Sequence, residues 1–237
     1  METCIKGRTK KIWLDYVPMA MVGVLIITFA VINRQTFFKT LPTLVTLFVQ
    51  ILMARANRFG FLVGGINAAI YGLVYLSEGL YFSSVSALLI SFPIQLYSFL
   101  NWTRKRTAQN RTELKKFDLT KWIVCLSLAL AGWAACYFGL AKFFKGALLP
   151  AFDTFLFSMG IIVSVLAARR YVDSQYLNIL STTVSVVMWT IICASNPSNA
   201  NYLIIACYNL FMMIKSSIHW TKQYNADKAG QEENIIE

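Results

Sequence analysis

The feature that most limits how this chain can fold is a series of apolar segments, each long enough to cross a lipid bilayer. A membrane-spanning helix needs roughly 17–25 mostly apolar residues. With 57% apolar residues and a mean hydropathy of +0.56, the 237-residue chain is far more apolar than a soluble domain. The sequence therefore predicts an all-α integral membrane protein with about eight transmembrane helices. We place them near residues 13–32, 41–56, 60–77, 80–102, 122–141, 150–168, 174–194 and 200–220.

The distribution of basic residues predicts the orientation of these helices. With eight spans both termini lie on one side of the membrane, and that side carries 17 Lys and Arg residues against four on the other. Positively charged loops stay in the cytoplasm, so we expect both termini there and the protein in the plasma (inner) membrane. The net charge of +11 is then a topology signal rather than a surface for nucleic acid. The polar segment from Thr221 is expected to be a disordered cytoplasmic tail.

The chain offers few side chains for metal binding or catalysis. Its five cysteines include no Cys-x-x-Cys pair, and four of them fall within apolar segments. His219 is the single histidine, and the spans hold no grouping of His, Asp, Glu or Cys from which an enzyme site is built. The sequence therefore predicts neither an enzyme nor a cofactor.

Two polar stripes indicate that the chain contains an internal repeat. One follows the fourth span at helical spacing, and the second follows the last span 118 residues later. Their members are Ser84, Ser91, Gln95, Ser98 and Trp102, then Tyr202, Asn209, Met213, Ser216 and Trp220. Short motifs match as well: Phe-Phe-Lys at 37–39 and 143–145, Ala-Arg at 54–55 and 168–169, and Trp-Thr-basic at 102–104 and 220–222. Because matching points are four spans apart, the halves have the same orientation, and a site between them is expected near the membrane midplane.

Polar side chains within the spans are the candidates for a substrate path. Such groups are costly in lipid unless they face other helices or water. Packing between helices is the alternative explanation, and a single Asn or Ser does not distinguish the two. Because whole stripes occur on matching helices, we favour a path lined by Asn67, Tyr71, Gln95, Asn178, Thr182, Trp189 and Asn209. Pro93 is a candidate hinge or gate, and Lys215 is either a contact for an anionic group or a side chain that reaches to the interface.

The residue types in these stripes indicate the kind of substrate. Amides and hydroxyls suit a hydroxyl-rich compound such as a ribose. Aromatic rings offer flat faces to a heterocycle, and a cationic ring would gain from cation–π contact. We expect this role from Tyr71, Tyr97, Trp189 and Tyr208. Glu78 and Asp153 lie near span ends rather than at span centres, which favours a facilitator over an ion-coupled pump.

Several motifs resemble the PnuC-type vitamin transporters, which are carriers of nicotinamide riboside with relatives for thiamine and other nucleoside-like compounds. The resemblance covers nearly the whole chain. It rests on Gly79-Leu80-Tyr81, Pro93-Ile94-Gln95, Asn101-Trp102, Val184-Ser185 with Trp189, and His219-Trp220. It implies two three-helix bundles joined by a linker helix near 122–141, as in the SWEET sugar transporters, with an additional N-terminal helix. The implied divisions are 1–102 for that helix and the first bundle, 103–142 for a basic connector and the linker helix, 143–220 for the second bundle, and 221–237 for the tail.

The resemblance also implies facilitated diffusion of an unphosphorylated nucleoside, which a cytoplasmic kinase then traps as a phosphate. It implies binding roles for Gln95, Asn67 and Trp189. Thr182, His219 and Lys215 depart from the family pattern, so deoxynucleosides and thiamine stay open as substrates.

A different class of protein, the substrate-binding membrane subunit of an ATP-driven vitamin importer, is a second interpretation. It would need a docking face of small residues, for which Ala131 and Ala135 are the only suggestion. Transport by the purified protein alone would separate the two classes. In either case the expected partners are a nucleoside-like small molecule and membrane lipid, with the kinase as a metabolic partner, and a homo-oligomer stays open.

Overall fold

The computed structural model describes residues 2–104, 114–140 and 148–236, except for the side chains of the first fifteen residues, of Leu140 and of residues 230–236. Within these ranges the chain is helical and forms no strands, which confirms the predicted all-α class. We number the helices α1 (Glu2–Ile32), α2 (Phe37–Ala54), α3 (Phe59–Ser77), α4 (Tyr81–Arg104), α5 (Leu119–Ala134), α6 (Pro150–Ala168), α7 (Ser174–Ser195) and α8 (Ala200–Ile236).

Seven of the described helices are long and apolar enough to cross a membrane, and α1 contributes a shorter apolar stretch, Tyr16–Ile32. A π-helical segment, Ala135–Leu140, continues α5, and a 3₁₀ turn, Pro197–Asn199, precedes α8. The chain is therefore a multi-pass membrane protein.

The last helix differs from the prediction, because α8 continues to Ile236 where the sequence suggested a disordered tail from Thr221. The first part of this extension makes contacts: the Thr221 Oγ1 atom lies 2.8 Å from the Tyr176 hydroxyl, and Tyr224 packs beside the buried Trp220. These contacts support the helix after the apolar span has ended. The prediction of disorder is therefore wrong for residues 221–229.

Six helices form a closed ring, in which the order of neighbours is α3, α2, α8, α7, α6, α4 and back to α3. Helix α1 packs outside the ring against α2 and α8, whereas α5 packs outside it against α6. The ring places the polar stripes of α4 and α8 on its inner side, while apolar residues such as Leu89 and Phe211 face outwards. The ring encloses a space, which is bounded by α2, α3 and α4 on one side and by α6, α7 and α8 on the other.

The ring has two chemically different ends. The basic end holds the α2–α3 turn with Arg55 and Arg58 and the α6–α7 turn with Arg169 and Arg170. The far end holds the α1–α2, α3–α4 and α7–α8 turns.

The turns of the two halves share an unusual backbone conformation. Four non-glycine residues have positive φ, a region that is disfavoured by contact with Cβ. At the basic end they are Ala56 (φ 51°) and Arg170 (φ 67°), and around the far end Arg34 (φ 49°) and Leu149 (φ 47°). Ala56 and Arg170 lie 114 positions apart, the same spacing as Ala54-Arg55 and Ala168-Arg169, which supports the predicted repeat without depending on side-chain types. Arg34 and Leu149 do not match at this spacing.

Helix α4 is interrupted by a π-helical turn, Ser86–Ser91, directly before Pro93. Proline lacks an N–H donor, and its ring crowds the carbonyl four residues earlier, so a local change of helical pitch accommodates it. Pro93 itself is exposed on the outside of the ring. Ser86 and Ser91, at the two ends of the turn, face the enclosed space.

At the basic end two tryptophans hold the bundles together. The Trp102 indole N–H donates to the Ala167 carbonyl, and the Trp220 indole N–H donates to the Met53 carbonyl, both at 3.0 Å. The two rings lie 5.2 Å apart between centroids, and both are fully buried. Met53 and Ala167 are the next-to-last residues of α2 and α6, and each of their carbonyls accepts from the backbone N–H three residues later as well as from the indole of the other bundle.

The described part of the connector is fixed to the second half of the ring. Lys115 exchanges backbone hydrogen bonds with Arg170 and Val172 at 2.9 and 2.8 Å. The buried Asp173 carboxylate accepts from the Phe117 N–H at 2.7 Å and from the Trp122 indole at 3.1 Å. Residues 105–113 of the predicted connector lie outside the described ranges.

Candidate substrate cavity

Two polar cavities lie one above the other inside the ring. The far-side cavity, of about 280 Å³, is lined near the start of α4 by Ser83 and Ser86. The basic-side cavity, of about 290 Å³, extends towards Met53 and Ala167 near the ends of α2 and α6. Both are lined by Ala68, Tyr71 and Gln95, so they meet at these side chains. Each cavity alone is close to the lower end of the roughly 300–1,000 Å³ found for small-molecule sites, and the two together fall within that range.

Seven of the nine predicted site residues line these cavities. Tyr71 and Gln95 line both, Asn67 and Asn178 line the basic-side cavity, and Thr182, Trp189 and Asn209 line the far-side cavity. The structure thus brings together residues from four helices that are far apart in the sequence.

The other two predicted residues line neither cavity. Pro93 points outwards from the ring, and Lys215 is half-buried on α8 near the basic end.

The walls of the basic-side cavity come from matching positions of the two halves. Helix α2 contributes Thr46, Val49, Gln50 and Met53, and helix α6 contributes Gly160, Val163, Ser164 and Ala167, each 114 positions later. A cavity built in this way lies between the bundles rather than inside one of them, where a parallel repeat would place a transport site.

Asn67 is held in place by two hydrogen bonds. Its side-chain amide donates to the Pro42 carbonyl at 3.1 Å and to the Thr46 hydroxyl at 2.9 Å. The Thr46 hydroxyl in turn lies 3.4 Å from the Tyr71 hydroxyl. The oxygen of the Asn67 amide has no partner among the described residues. A donor on a ligand would complete its hydrogen bonding.

Four buried amide oxygens around the cavities share this lack of a partner among the described residues. They are Asn67 Oδ1, Asn209 Oδ1, Gln50 Oε1 and Gln175 Oε1. Leaving a buried acceptor without a donor costs about 1–3 kcal/mol, so a cluster of four indicates a site that is completed by a ligand or water.

Sequence reasoning missed two members of this cluster, Gln50 and Gln175. A signal for each was present, since Gln50 follows Thr43 and Thr46 on one helical face, and Gln175 precedes Asn178 by one turn.

Gln95 approaches α3 at a point where only glycine leaves enough space. A Cβ atom on Gly64 would lie 2.4 Å from Gln95 Oε1. The neighbouring Gly65 is less restricted, because the nearest atom to its Cβ would be 3.4 Å away. The position of the Gln95 amide at the junction of the two cavities therefore depends on Gly64.

Aromatic rings form the far-side wall. Tyr71 and Tyr75 are stacked with centroids 5.4 Å apart, and Trp189 and Tyr202 lie 4.7 Å apart. Tyr71, Tyr75 and Trp189 line the cavity.

The predicted aromatic roles of Tyr97 and Tyr208 are wrong. Tyr97 is 60% exposed on the outside of the ring, since it lies two residues from Gln95 and so on the opposite face of α4. Tyr208 is buried against α1 and α2, beside Ile26 and Leu47.

At the far end two different contacts join the bundles. In the first, Asp153 of α6 accepts hydrogen bonds from the backbone N–H groups of Phe82 and Ser83, at 3.0 and 2.9 Å, and from the Ser83 hydroxyl. We call this the α4–α6 seam.

The second contact, the α2–α8 seam, uses amides and an ion pair. The Gln35 side chain donates to the Ser198 carbonyl and to Asn201 Oδ1, the latter at 3.1 Å. Glu78 forms an ion pair with Lys39 and accepts from the Asn199 amide at 3.2 Å.

The cavities themselves carry no formal charge. Among the described residues that line them there is no Lys, Arg, His, Asp or Glu. In the part of the chain that the structure describes, no group of three or more His, Cys, Asp or Glu side chains is placed to hold a metal ion.

A closed ring of membrane-length helices around an uncharged polar cavity defines the class of the protein as a membrane transporter. The family model described as nicotinamide mononucleotide transporter matches residues 36–222, most of the chain. The chain therefore belongs to this family, which confirms the resemblance drawn from the sequence and the prediction that it is not an enzyme.

The fold agrees with a solved structure described as "Crystal structure of the Vitamin B3 transporter PnuC". The TM-score is 0.77 at 18% sequence identity, with 90% of this chain and 92% of the other covered. A search among curated proteins found no match.

Proposed function

We propose that this chain mediates the facilitated uptake of nicotinamide riboside or a closely related nucleoside-like vitamin. The observation that carries the proposal is the set of four buried amide oxygens around the uncharged cavities that have no hydrogen-bond partner among the described residues. Ribose hydroxyls and a carboxamide N–H₂ are donors of the kind that these oxygens lack.

The aromatic wall suits the other end of such a molecule. Nicotinamide riboside carries a cationic pyridinium ring, which gains about 0.5–2 kcal/mol over a tyrosine or tryptophan face. Tyr71, Tyr75 and Trp189 provide these faces in the far-side cavity. The amides of the basic-side cavity would then contact the ribose or the carboxamide.

The lack of cationic groups in the lining favours the riboside over its phosphorylated form. Recognition of a phosphate normally uses arginine, lysine or a helix N-terminus. Among the described lining residues there is no cation, and Lys215 faces elsewhere. The family description names the mononucleotide, so the binding of the two forms has to be compared directly.

The uncharged lining also favours transport down the substrate's concentration gradient, without coupling to an ion. Proton and sodium coupling usually depend on ionisable groups along the path, and no carboxylate lines either cavity among the described residues. Net uptake then requires that the substrate is consumed inside the cell, which phosphorylation by a cytoplasmic kinase accomplishes. The kinase is a metabolic partner and needs no contact with the carrier.

We place the basic end in the cytoplasm, so that both termini are cytoplasmic and the far end faces the outside of the plasma (inner) membrane. The proposal rests on the 17 to four division of Lys and Arg. The four arginines of the two basic-end turns agree with it.

Ligand binding by the purified protein tests the proposal. Titrations with nicotinamide riboside, its mononucleotide, thiamine and deoxynucleosides should give micromolar binding of the riboside and at least tenfold weaker binding of the mononucleotide. Gln95→Ala and Asn67→Ala should each abolish this binding, whereas Thr190→Ala, which alters an exposed hydroxyl bonded within its own helix, should leave it unchanged.

The outcomes separate the alternatives. Preferential binding of thiamine or a deoxynucleoside would assign that substrate to the same cavity. Binding that survives both cavity variants would mean that the amides only pack the helices. Uptake into liposomes by the purified chain alone would exclude the subunit of an ATP-driven importer.

A further inference from the structure

Asp153 is a fully buried carboxylate whose role the binding amides do not explain. It lies in the first turn of α6, and both of its oxygens accept hydrogen bonds from the start of α4. Oδ2 accepts from the Phe82 N–H, and Oδ1 accepts from the Ser83 N–H and hydroxyl. All three contacts cross from the second bundle to the first.

These contacts offset part of the cost of burying an ionised carboxyl group. Three donors point at its two oxygens, and two of them belong to the N-terminus of α4, where negative charge is stabilised. Within the described residues Asp153 forms no ion pair, whereas Glu78, the other acidic side chain near the far end, is paired with Lys39. Asp153 therefore contributes an uncompensated negative charge in the described structure.

This charge lies one side chain away from the far-side cavity. Ser83, whose hydroxyl binds the carboxylate, lines the cavity. Leu156 and Phe157, one turn further along α6, line it as well. A ligand in contact with these residues would experience the charge across the Ser83 side chain and the buried residues beside it, where screening by water is weak.

We infer that Asp153 is a specificity-determining residue, which favours ligands with a cationic ring in the far-side cavity without touching them. The inference rests on the proposed function and extends it, because it makes the charge of the heterocycle a criterion for binding. At an effective dielectric constant near 20, a unit charge roughly 12 Å from a cationic ring changes the affinity by about tenfold.

The test compares nicotinamide riboside with benzamide riboside, in which a neutral phenyl ring replaces the pyridinium. The wild-type protein should bind the cation about tenfold more tightly. Asp153→Asn should remove most of this preference while changing the affinity for benzamide riboside by less than about twofold, because asparagine keeps the shape and one acceptor. Asp153→Glu should restore much of the preference, and Ser83→Ala, which keeps the charge, should retain it.

Equal weakening of both ligands in Asp153→Asn would overturn the inference and make Asp153 a cap of α4 only. Equal binding of both ligands by the wild-type protein would overturn it as well, even if the variant does not fold. Failure of the wild-type protein to bind either riboside would instead overturn the proposed function, and the inference with it.

Discussion

The two ends of the ring are closed by different chemistry. At the basic end the contact between the bundles is symmetric. Each bundle contributes one buried indole, whose N–H donates to a carbonyl near the end of a helix of the other bundle. At the far end one seam uses a carboxylate and a helix N-terminus, and the other uses amides and an ion pair.

This difference bears on which end opens more easily. Separating Trp102 from Trp220 would expose two large apolar rings to water. The far-end groups are polar, and Lys39 is already 35% exposed, so water can replace their partners as they separate. In this conformation the far end should therefore be the less stable closure.

The largest expected effect is at the basic end. Trp102→Ala should lower the free energy of unfolding by about 3–5 kcal/mol, since it removes a buried ring and its hydrogen bond. Trp220→Ala should cost the same within about 1 kcal/mol, because its contacts match. Thermal unfolding in detergent measures both. Trp133→Ala is the control, as Trp133 also donates to a carbonyl at 3.0 Å but is only partly buried. Similar losses of unfolding free energy in all three variants would contradict the view that Trp102 and Trp220 contribute more to stability than other tryptophans.

The second prediction concerns the junction between the ends. Gly64→Ala should weaken riboside binding by at least about tenfold, because the new methyl group displaces the Gln95 amide. Gly65→Ala is the matched control and should change binding by less than about threefold. Isothermal titration measures the affinity of the two variants for the riboside. Equal effects of the two substitutions would show that the position of the Gln95 amide does not determine binding.

A smaller effect is expected at the α2–α8 seam. Glu78→Gln should cost less than about 1 kcal/mol of stability, as expected for a partly exposed ion pair. It should nevertheless increase opening of the far end. We would place a cysteine at Ser185, which lines the far-side cavity, in a background with the native cysteines replaced, and follow its labelling by an impermeant thiol reagent. Unchanged labelling would show that this ion pair does not hold the far end closed.

The smallest effect is expected at Lys215. Because its side chain lines neither cavity, Lys215→Met should change riboside binding by less than about twofold. Titration beside the wild-type protein is sufficient. A tenfold or greater loss of affinity would instead support the contact between Lys215 and a ligand that was predicted from the sequence.

The sequence predicted the membrane helices and seven of the residues that line the cavities, because hydropathy and helical spacing are local properties. It did not predict which buried amides lack partners, since that depends on packing between distant helices such as α2 and α7. Gln50 and Gln175 were missed for this reason. Asp153 was treated only as a group near a span end, because its contacts with Phe82 and Ser83 join residues about 70 positions apart.

The different packing of the two outer helices has a mechanical consequence. Helix α1 contacts both α2 and α8, so it bridges one of the two lines along which the bundles meet. Helix α5 packs against α6, and the line between α4 and α6 has no such bridge in the described structure. A movement that separates the bundles should therefore use the α2–α8 interface, bridged by α1, as its hinge. The separation should be largest at the opposite interface, between α4 and α6.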